Sequence, residues 1–130
     1  MFYNSNRKRN LVYANSRNNN KFVFVDRDYS SHELEWVALL YAIRWANKKY
    51  TNCRITFRGS KKDVIVKVIG EKKIVKEDLR AWYDQCMGEV KWGESNKGNL
   101  YEFKYVDIDN NRAYGKLGNF INRRDRDERL

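Results

Sequence analysis

The sequence predicts an α/β domain built on a mixed β-sheet. Two short β-prone runs lie near the N-terminus, a long apolar helical segment follows them, and strand and helix patterns then alternate along the chain. With 130 residues the chain can bury a hydrophobic core without metal or disulfide crosslinks. We predict the order β-β-α-β-α-α-β-α, antiparallel at the hairpin and parallel where helices cross over.

The first predicted elements are a hairpin and a central helix. Leu11–Tyr13 and Lys21–Asp26 are rich in residues favoured in strands, and the asparagines between them tolerate tight turns. A helix from about Ser31 to Lys48 follows, because Ser30 can cap it and Glu33 completes a capping box. The helix is apolar almost all round, which is typical of a helix covered on both sides.

In the second half of the chain, the sequence patterns predict a strand followed by two helices, and then a final strand and a final helix. Residues 54–58 alternate with period two, and Gly59 ends this strand. The other predicted elements are helices over 63–68 and 76–87, a loop over 93–99, a strand over 100–108 and a helix over 111–122. Without proline, repeats or linkers, we expect one domain over 1–130, with a frayed basic start (1–9) and a charged tail (122–130).

Charge and cysteine content narrow the classes of partner. Lys and Arg exceed Asp and Glu by ten, which favours nucleic acid or another polyanion. Cys53 and Cys86 lack the spacing of a zinc site or a disulfide framework. Because no signal core or membrane-span pattern is present, we expect a cytoplasmic or otherwise intracellular protein that binds no membrane. The oligomeric state is left open.

Three segments occur in the same order as in a known family. Glu35 is followed by an apolar helix with the pattern Ala-Leu-Leu-Tyr-Ala, residues 57–70 read as a strand, a turn and a helix ending at Gly70, and residues 110–119 contain Asn-x-x-Ala. This arrangement resembles the ribonuclease H family. The resemblance implies a ribonuclease H-like mixed sheet flanked by helices, with a shortened N-terminal hairpin.

The resemblance also implies that most of the acidic positions are lost. Ala14, Gly59 and Tyr114 stand where the family has Asp, and only Glu35 is kept. Family members cut phosphodiesters with two divalent ions, which need several converging carboxylates. We therefore predict no catalytic residues, no metal site and no cofactor.

The short spacing between Ala14 and Glu35 leaves two alternatives open. It has room for one hairpin strand where the family usually has two, so either an edge strand is deleted or the first strand is misassigned. If residues 22–26 were the first strand, relocated acids would rebuild a site for Mg²⁺ or Mn²⁺. These acids are Asp26, Glu35, Asp63 and Asp109.

The predicted function is a non-catalytic ribonuclease H-like module that binds RNA, an RNA–DNA hybrid or another polyanion. The predicted contacts are Arg54, Arg58, Lys61, Lys62, Lys67, Ser60 and Trp92. The basic residues could equally be a solvated surface, and Ser60 could be a helix cap. The alternatives are a protein–protein interaction adaptor and a metal-dependent nuclease with relocated carboxylates.

Overall fold

The computed structural model describes residues 1–7, 11–16, 19–25, 27–70, 73–74 and 77–113. Its strands are β1 (Phe2–Asn6), β2 (Leu11–Ser16), β3 (Asn19–Phe24), β4 (Arg54–Gly59) and β5 (Leu100–Tyr105). Its helices are α1 (Ser31–Lys49), α2 (Lys62–Val68) and α3 (Glu77–Lys97), followed by a 3-10 turn at Ile108–Asn110. The strands form one mixed sheet in the order β3-β2-β1-β4-β5.

Strand β1 is the central strand of the sheet. It pairs antiparallel with β2 and parallel with β4, while β2–β3 is antiparallel and β4–β5 is parallel. The prediction that residues 1–9 fray is therefore wrong for Phe2–Asn6, where Tyr3 is fully buried. Three strands precede the first helix, so the N-terminal region is not shortened. The predicted hairpin is correct, but it consists of the second and third strands.

Helix α1 lies across one face of the sheet, which we call the inner face. It packs against β1 and β2 on one side and against α3 on the other, as its all-round apolar sequence predicts. The Ser30 hydroxyl accepts a hydrogen bond from the Glu33 backbone N–H at 3.2 Å, which confirms the predicted cap. Within the described ranges, no helix has both the length and the hydrophobicity needed to cross a membrane.

Helix α3 continues well past its predicted end at Met87. Residues 93–97 were predicted to be a loop because of their glycine and asparagine, but they are helical. A Cβ at Gly93 would lie 2.8 Å from the ring carbon Cζ of Tyr101, so this glycine permits close packing of β5 on the helix. Gly98 follows the helix with φ of +66°, a conformation that favours glycine after a helix end.

The remaining boundaries differ by a few residues. Helix α2 begins at Lys62, and β5 ends at Tyr105, three residues before its predicted end. The predicted final helix is described only as far as Ala113, and the rest of it lies outside the described residues.

Strand β4 shows how the sheet divides its side chains between two faces. Ile55, Phe57 and Gly59 are buried on the inner face toward α1. Arg54, Thr56 and Arg58 alternate with them and project from the opposite, outer face. A smaller apolar cluster covers part of the outer face and consists of Leu11, Tyr13, Ala113 and Phe2.

Candidate functional site

Tyr3 and Gly59 lie side by side on the inner face. The register of β1 and β4 pairs Phe2 with Arg58, which places Tyr3 next to Gly59. A Cβ at position 59 would lie 2.8 Å from Cε1 of Tyr3 and still closer to its Cζ and hydroxyl oxygen. The Tyr3 ring therefore occupies the space that a side chain at position 59 would need.

Tyr3, and not Ala14, lies beside Gly59 on the inner face. Ala14 was assigned to the first acidic position of the ribonuclease H pattern, but it lies in β2 and is the cross-strand partner of Tyr3, one strand farther from Gly59. Ala14 was placed in the first strand because β1 was not predicted.

Glu35, in the first turns of α1, is a buried carboxylic acid. Only 1% of its surface is exposed, and the Ser5 hydroxyl donates a hydrogen bond to Oε2 at 2.7 Å. Its Oε1 has no hydrogen-bond partner among the described residues. Burial raises the pKa of Glu35 to about 7, although the Ser5 hydrogen bond and the charge of Lys61 oppose the shift. Glu35 is thus partly protonated near neutral pH.

Tyr3 remains a neutral phenol in this environment. Burial raises its pKa well above the ordinary value, and the nearby Glu35 charge raises it further. Its hydroxyl is fully buried and has no hydrogen-bond partner within the described ranges. We call Tyr3, Ser5, Glu35 and Gly59 the Tyr3–Glu35 cluster.

The residues after β4 connect this cluster to the protein surface. The Asn111 side-chain amide donates hydrogen bonds of 3.0 Å to the Ser60 hydroxyl and to the Tyr3 carbonyl. Ser60 is not the cap of α2, since that position is Lys61, which makes no side-chain cap bond. Lys61 and Lys62 follow and are exposed.

Comparisons with known proteins identify this architecture. No family model matches the chain, and no curated protein matches its sequence. The crystal structure of ribonuclease H1 from the halophilic archaeon Halobacterium salinarum NRC-1 matches with a TM-score of 0.72 and 16% identity, covering 89% of this chain and 90% of that one. The chain has a ribonuclease H-like fold. LC11-RNase H1, solved in complex with an RNA/DNA hybrid, matches with a TM-score of 0.70 and 12% identity over the same shares.

The residues that the structure describes do not fit the two-metal centre that a ribonuclease H-like fold implies. Asp63 forms a 2.9 Å ion pair with Lys67, and Asp109 is exposed in the 3-10 turn. No three His, Cys, Asp or Glu side chains come together to hold a metal ion in the part of the chain that the structure describes. Asp26 and Tyr114 lie outside that part. Among the described residues, Glu35 is the single carboxylate of the Tyr3–Glu35 cluster.

The predicted nucleic-acid contacts do not form one surface. Lys61 follows β4 and its charge acts on Glu35, whereas Arg54 and Arg58 project from the outer face. Lys62 begins α2 beside Lys61. Lys67 is paired with Asp63. The basic cluster of the sequence is therefore divided between two faces of the domain.

Trp92 occupies a third location. It is 48% exposed and borders a groove of about 580 Å³ beside Asn47, near the end of α1. Glu35 and Asn47 are separated by about 18 Å of helix, at 1.5 Å per residue. Trp92 is thus remote from the Tyr3–Glu35 cluster.

Proposed function

We propose that this domain binds nucleic acid, either RNA or an RNA–DNA hybrid, without cleaving it and without a metal cofactor. The observation that carries the proposal is the packing of the Tyr3 ring against Gly59. The proposal places both residues at positions where the family pattern has Asp. In this proposal the Tyr3 ring stands in the place of two carboxylates, and Glu35 is the one acid of the cluster among the described residues. One carboxylate cannot hold the two ions that would clamp the attacking and leaving oxygens.

Two features support nucleic acid as the partner. Lys61 and Lys62 are exposed directly after β4, and the chain carries a formal net charge of +10. Lysines at such a site neutralise phosphates and release counterions, which supplies most of the sequence-independent affinity. The similar structure of LC11-RNase H1 was solved with an RNA/DNA hybrid, and the proposal assigns the same class of partner to this chain.

The raised pKa of Glu35 weakens the repulsion between the Tyr3–Glu35 cluster and a phosphate. The charge of Lys61 acts on Glu35, and burial raises the pKa of Glu35 to about 7. A phosphate that contacts Lys61 therefore meets a carboxyl group that is only partly ionised at neutral pH. The electrostatic repulsion is weaker than a fully charged acidic site would exert.

Binding can be tested with a labelled blunt RNA–DNA hybrid titrated at several salt concentrations. We expect the double variant Lys61→Gln/Lys62→Gln to bind at least tenfold more weakly, with the slope of log K against log salt reduced by about two. The matched control Lys21→Gln/Lys91→Gln removes the same charge from exposed positions on β3 and α3. It should retain the wild-type slope, and EDTA should change neither protein's affinity.

Catalysis is tested with the same hybrid in Mg²⁺ or Mn²⁺ at high protein concentration. We expect no cleavage. Cleavage that disappears in Glu35→Gln would overturn the non-catalytic part of the proposal and favour a nuclease with relocated acids. Negligible affinity at physiological salt would overturn the binding part and favour the protein-interaction adaptor.

A further inference from the structure

A cavity of about 460 Å³ lies at the end of the sheet, between β2 and β4. The outer-face residues Phe2, Arg54 and Arg58 line it together with Ile55 of the inner face. The cavity arises from the strand register. Strand β1 pairs with β4 at Phe2 and Arg58, and the Met1 amine donates a hydrogen bond to the Thr56 carbonyl. The first half of β4 therefore faces the end of β2, at Asn15 and Ser16, across an open notch.

Three arginines make the cavity positive. Arg54, Arg58 and Arg112 line it. The guanidinium carbons of Arg58 and Arg112 lie 5.6 Å and 5.8 Å from the centre of the Phe2 ring, which holds both groups beside one aromatic surface. Glu102, which accepts a hydrogen bond from the Thr56 hydroxyl at 3.4 Å, places one negative charge nearby. The balance favours an anion that two or three guanidinium groups can contact.

The wall of the notch also offers a hydrogen-bond acceptor. Asn15 is 3% exposed, and its amide nitrogen donates to the Asn20 side chain at 2.6 Å. Its Oδ1 has no hydrogen-bond partner among the described residues. Beside it, the hydroxyls of Ser16 and Tyr50 form a hydrogen bond with each other. A buried acceptor without a partner favours a ligand that brings an N–H or O–H donor.

We infer that this notch binds a nucleotide, with its phosphate on the arginines and a sugar hydroxyl or base amino group on Asn15. The cavity volume falls in the range of about 300 to 1,000 Å³ that is typical of small-molecule sites. Phosphate charge and N–H or O–H donor groups occur together in nucleotides. The nucleotide is either free or the 5′-terminal residue of a strand. This inference does not rest on nucleic-acid binding at Lys61 and Lys62.

The inference can be tested by titrating the four ribonucleoside 5′-monophosphates into ¹⁵N-labelled protein while recording amide chemical shifts. We expect saturable shifts at Phe2, Asn15 and residues 54–58. Uridine or adenosine without phosphate, and inorganic phosphate alone, should bind at least tenfold more weakly. Arg54→Gln/Arg112→Gln should weaken nucleotide binding at least tenfold, whereas Arg80→Gln, which removes an exposed arginine on α3, and Lys61→Gln should not change it.

Three results would overturn the inference. These are inorganic phosphate binding as tightly as the best nucleotide, shifts confined to residues 59–62, and unchanged affinity in Arg54→Gln/Arg112→Gln. A 5′-phosphorylated dinucleotide distinguishes the two sources of ligand. Equal affinity for dinucleotide and mononucleotide assigns the notch to a strand end, and tenfold weaker dinucleotide binding assigns it to a free nucleotide.

Discussion

The two faces of the β1–β4 pair differ sharply in what they present. On the inner face, the Tyr3 ring fills the space beside Gly59, and the one nearby carboxyl group is buried. On the outer face, Phe2 and Arg58, which precede Tyr3 and Gly59 in the same strands, border an open, positive cavity. Because side chains alternate along a strand, the residues on one face can change without affecting those on the other. One strand pair thus combines a filled site with an open one.

The largest expected effect comes from removing the Tyr3 ring, which fills the inner face beside Gly59. Tyr3 is fully buried in the main core, so Tyr3→Ala should lower the free energy of unfolding by about 3–5 kcal/mol, as for other large aromatic truncations. Urea unfolding measures the change. Tyr3→Phe is the matched control, because it keeps the ring and removes a hydroxyl that has no partner among the described residues. It should cost less than about 1 kcal/mol.

A second substitution checks the contact between Tyr3 and position 59. Gly59→Ala should be clearly destabilising in the wild type, since its Cβ meets the Tyr3 ring, and much less so in the Tyr3→Ala background. Additive effects would contradict the packing described for the inner face.

The next effect concerns pH. The pKa of Glu35 is raised from 4.5 to about 7, so the folded state holds this proton more tightly than the unfolded state does. The free energy of unfolding should therefore fall as pH rises from about 4.5 to 7, by roughly 3 kcal/mol at most. Glu35→Gln should lack this loss. Urea unfolding of both proteins at pH 5 and pH 7.5 measures the difference.

The Met1 amine changes the stability with pH in the opposite direction, so the wild type must be compared with Glu35→Gln. Burial lowers the pKa of the Met1 amine from 8.0 to about 6, so its contribution to stability rises with pH over that interval. The amine is common to both proteins and cancels in their difference. If the free energy of unfolding changed with pH in the same way for the wild type and Glu35→Gln, the Glu35 carboxyl group would not be buried as described.

The smallest expected effect concerns Trp92, which lies away from both faces of the strand pair. Trp92→Ala should change affinity for a blunt hybrid less than twofold, because stacking on tryptophan requires an unpaired base. A hybrid with a single-stranded overhang provides the comparison. A severalfold loss on the overhang alone would support Trp92 as a contact for single strands. A loss above fivefold on the blunt hybrid would mean that the interface extends over α3.

The sequence predicted those elements whose signals are local. The hairpin, the Ser30 cap of α1 and the alternation of β4 each depend on neighbouring residues, and the structure has all three. Strand β1 was missed because a central strand normally reads as an apolar run, whereas Phe-Tyr-Asn-Ser-Asn is mostly polar. The extended α3 was missed because Gly93 reads as a loop residue until its contact with Tyr101 is known.

The candidate site was predicted only in part for the same reason. Glu35 and Gly59 were found from the motif around each residue. Tyr3 was not, because its role depends on parallel pairing with a strand far along the chain, and no local pattern reports that pairing. The separation of the basic residues onto two faces of the domain likewise depends on the face from which each strand residue projects. Period two in β4 already separates Arg54 and Arg58 from the residues that face α1.

The central position of β1 has a consequence for how the chain folds during synthesis. The β2–β3 hairpin can form as soon as it emerges, but the second edge of β1 pairs with β4, with Met1 and Thr56 joined across 55 positions of sequence. Until β4 emerges, β1 is an unprotected edge that can pair with other chains. Non-local pairing of this kind slows folding. Nascent chains that stop before β4 should therefore aggregate more readily than those that include it.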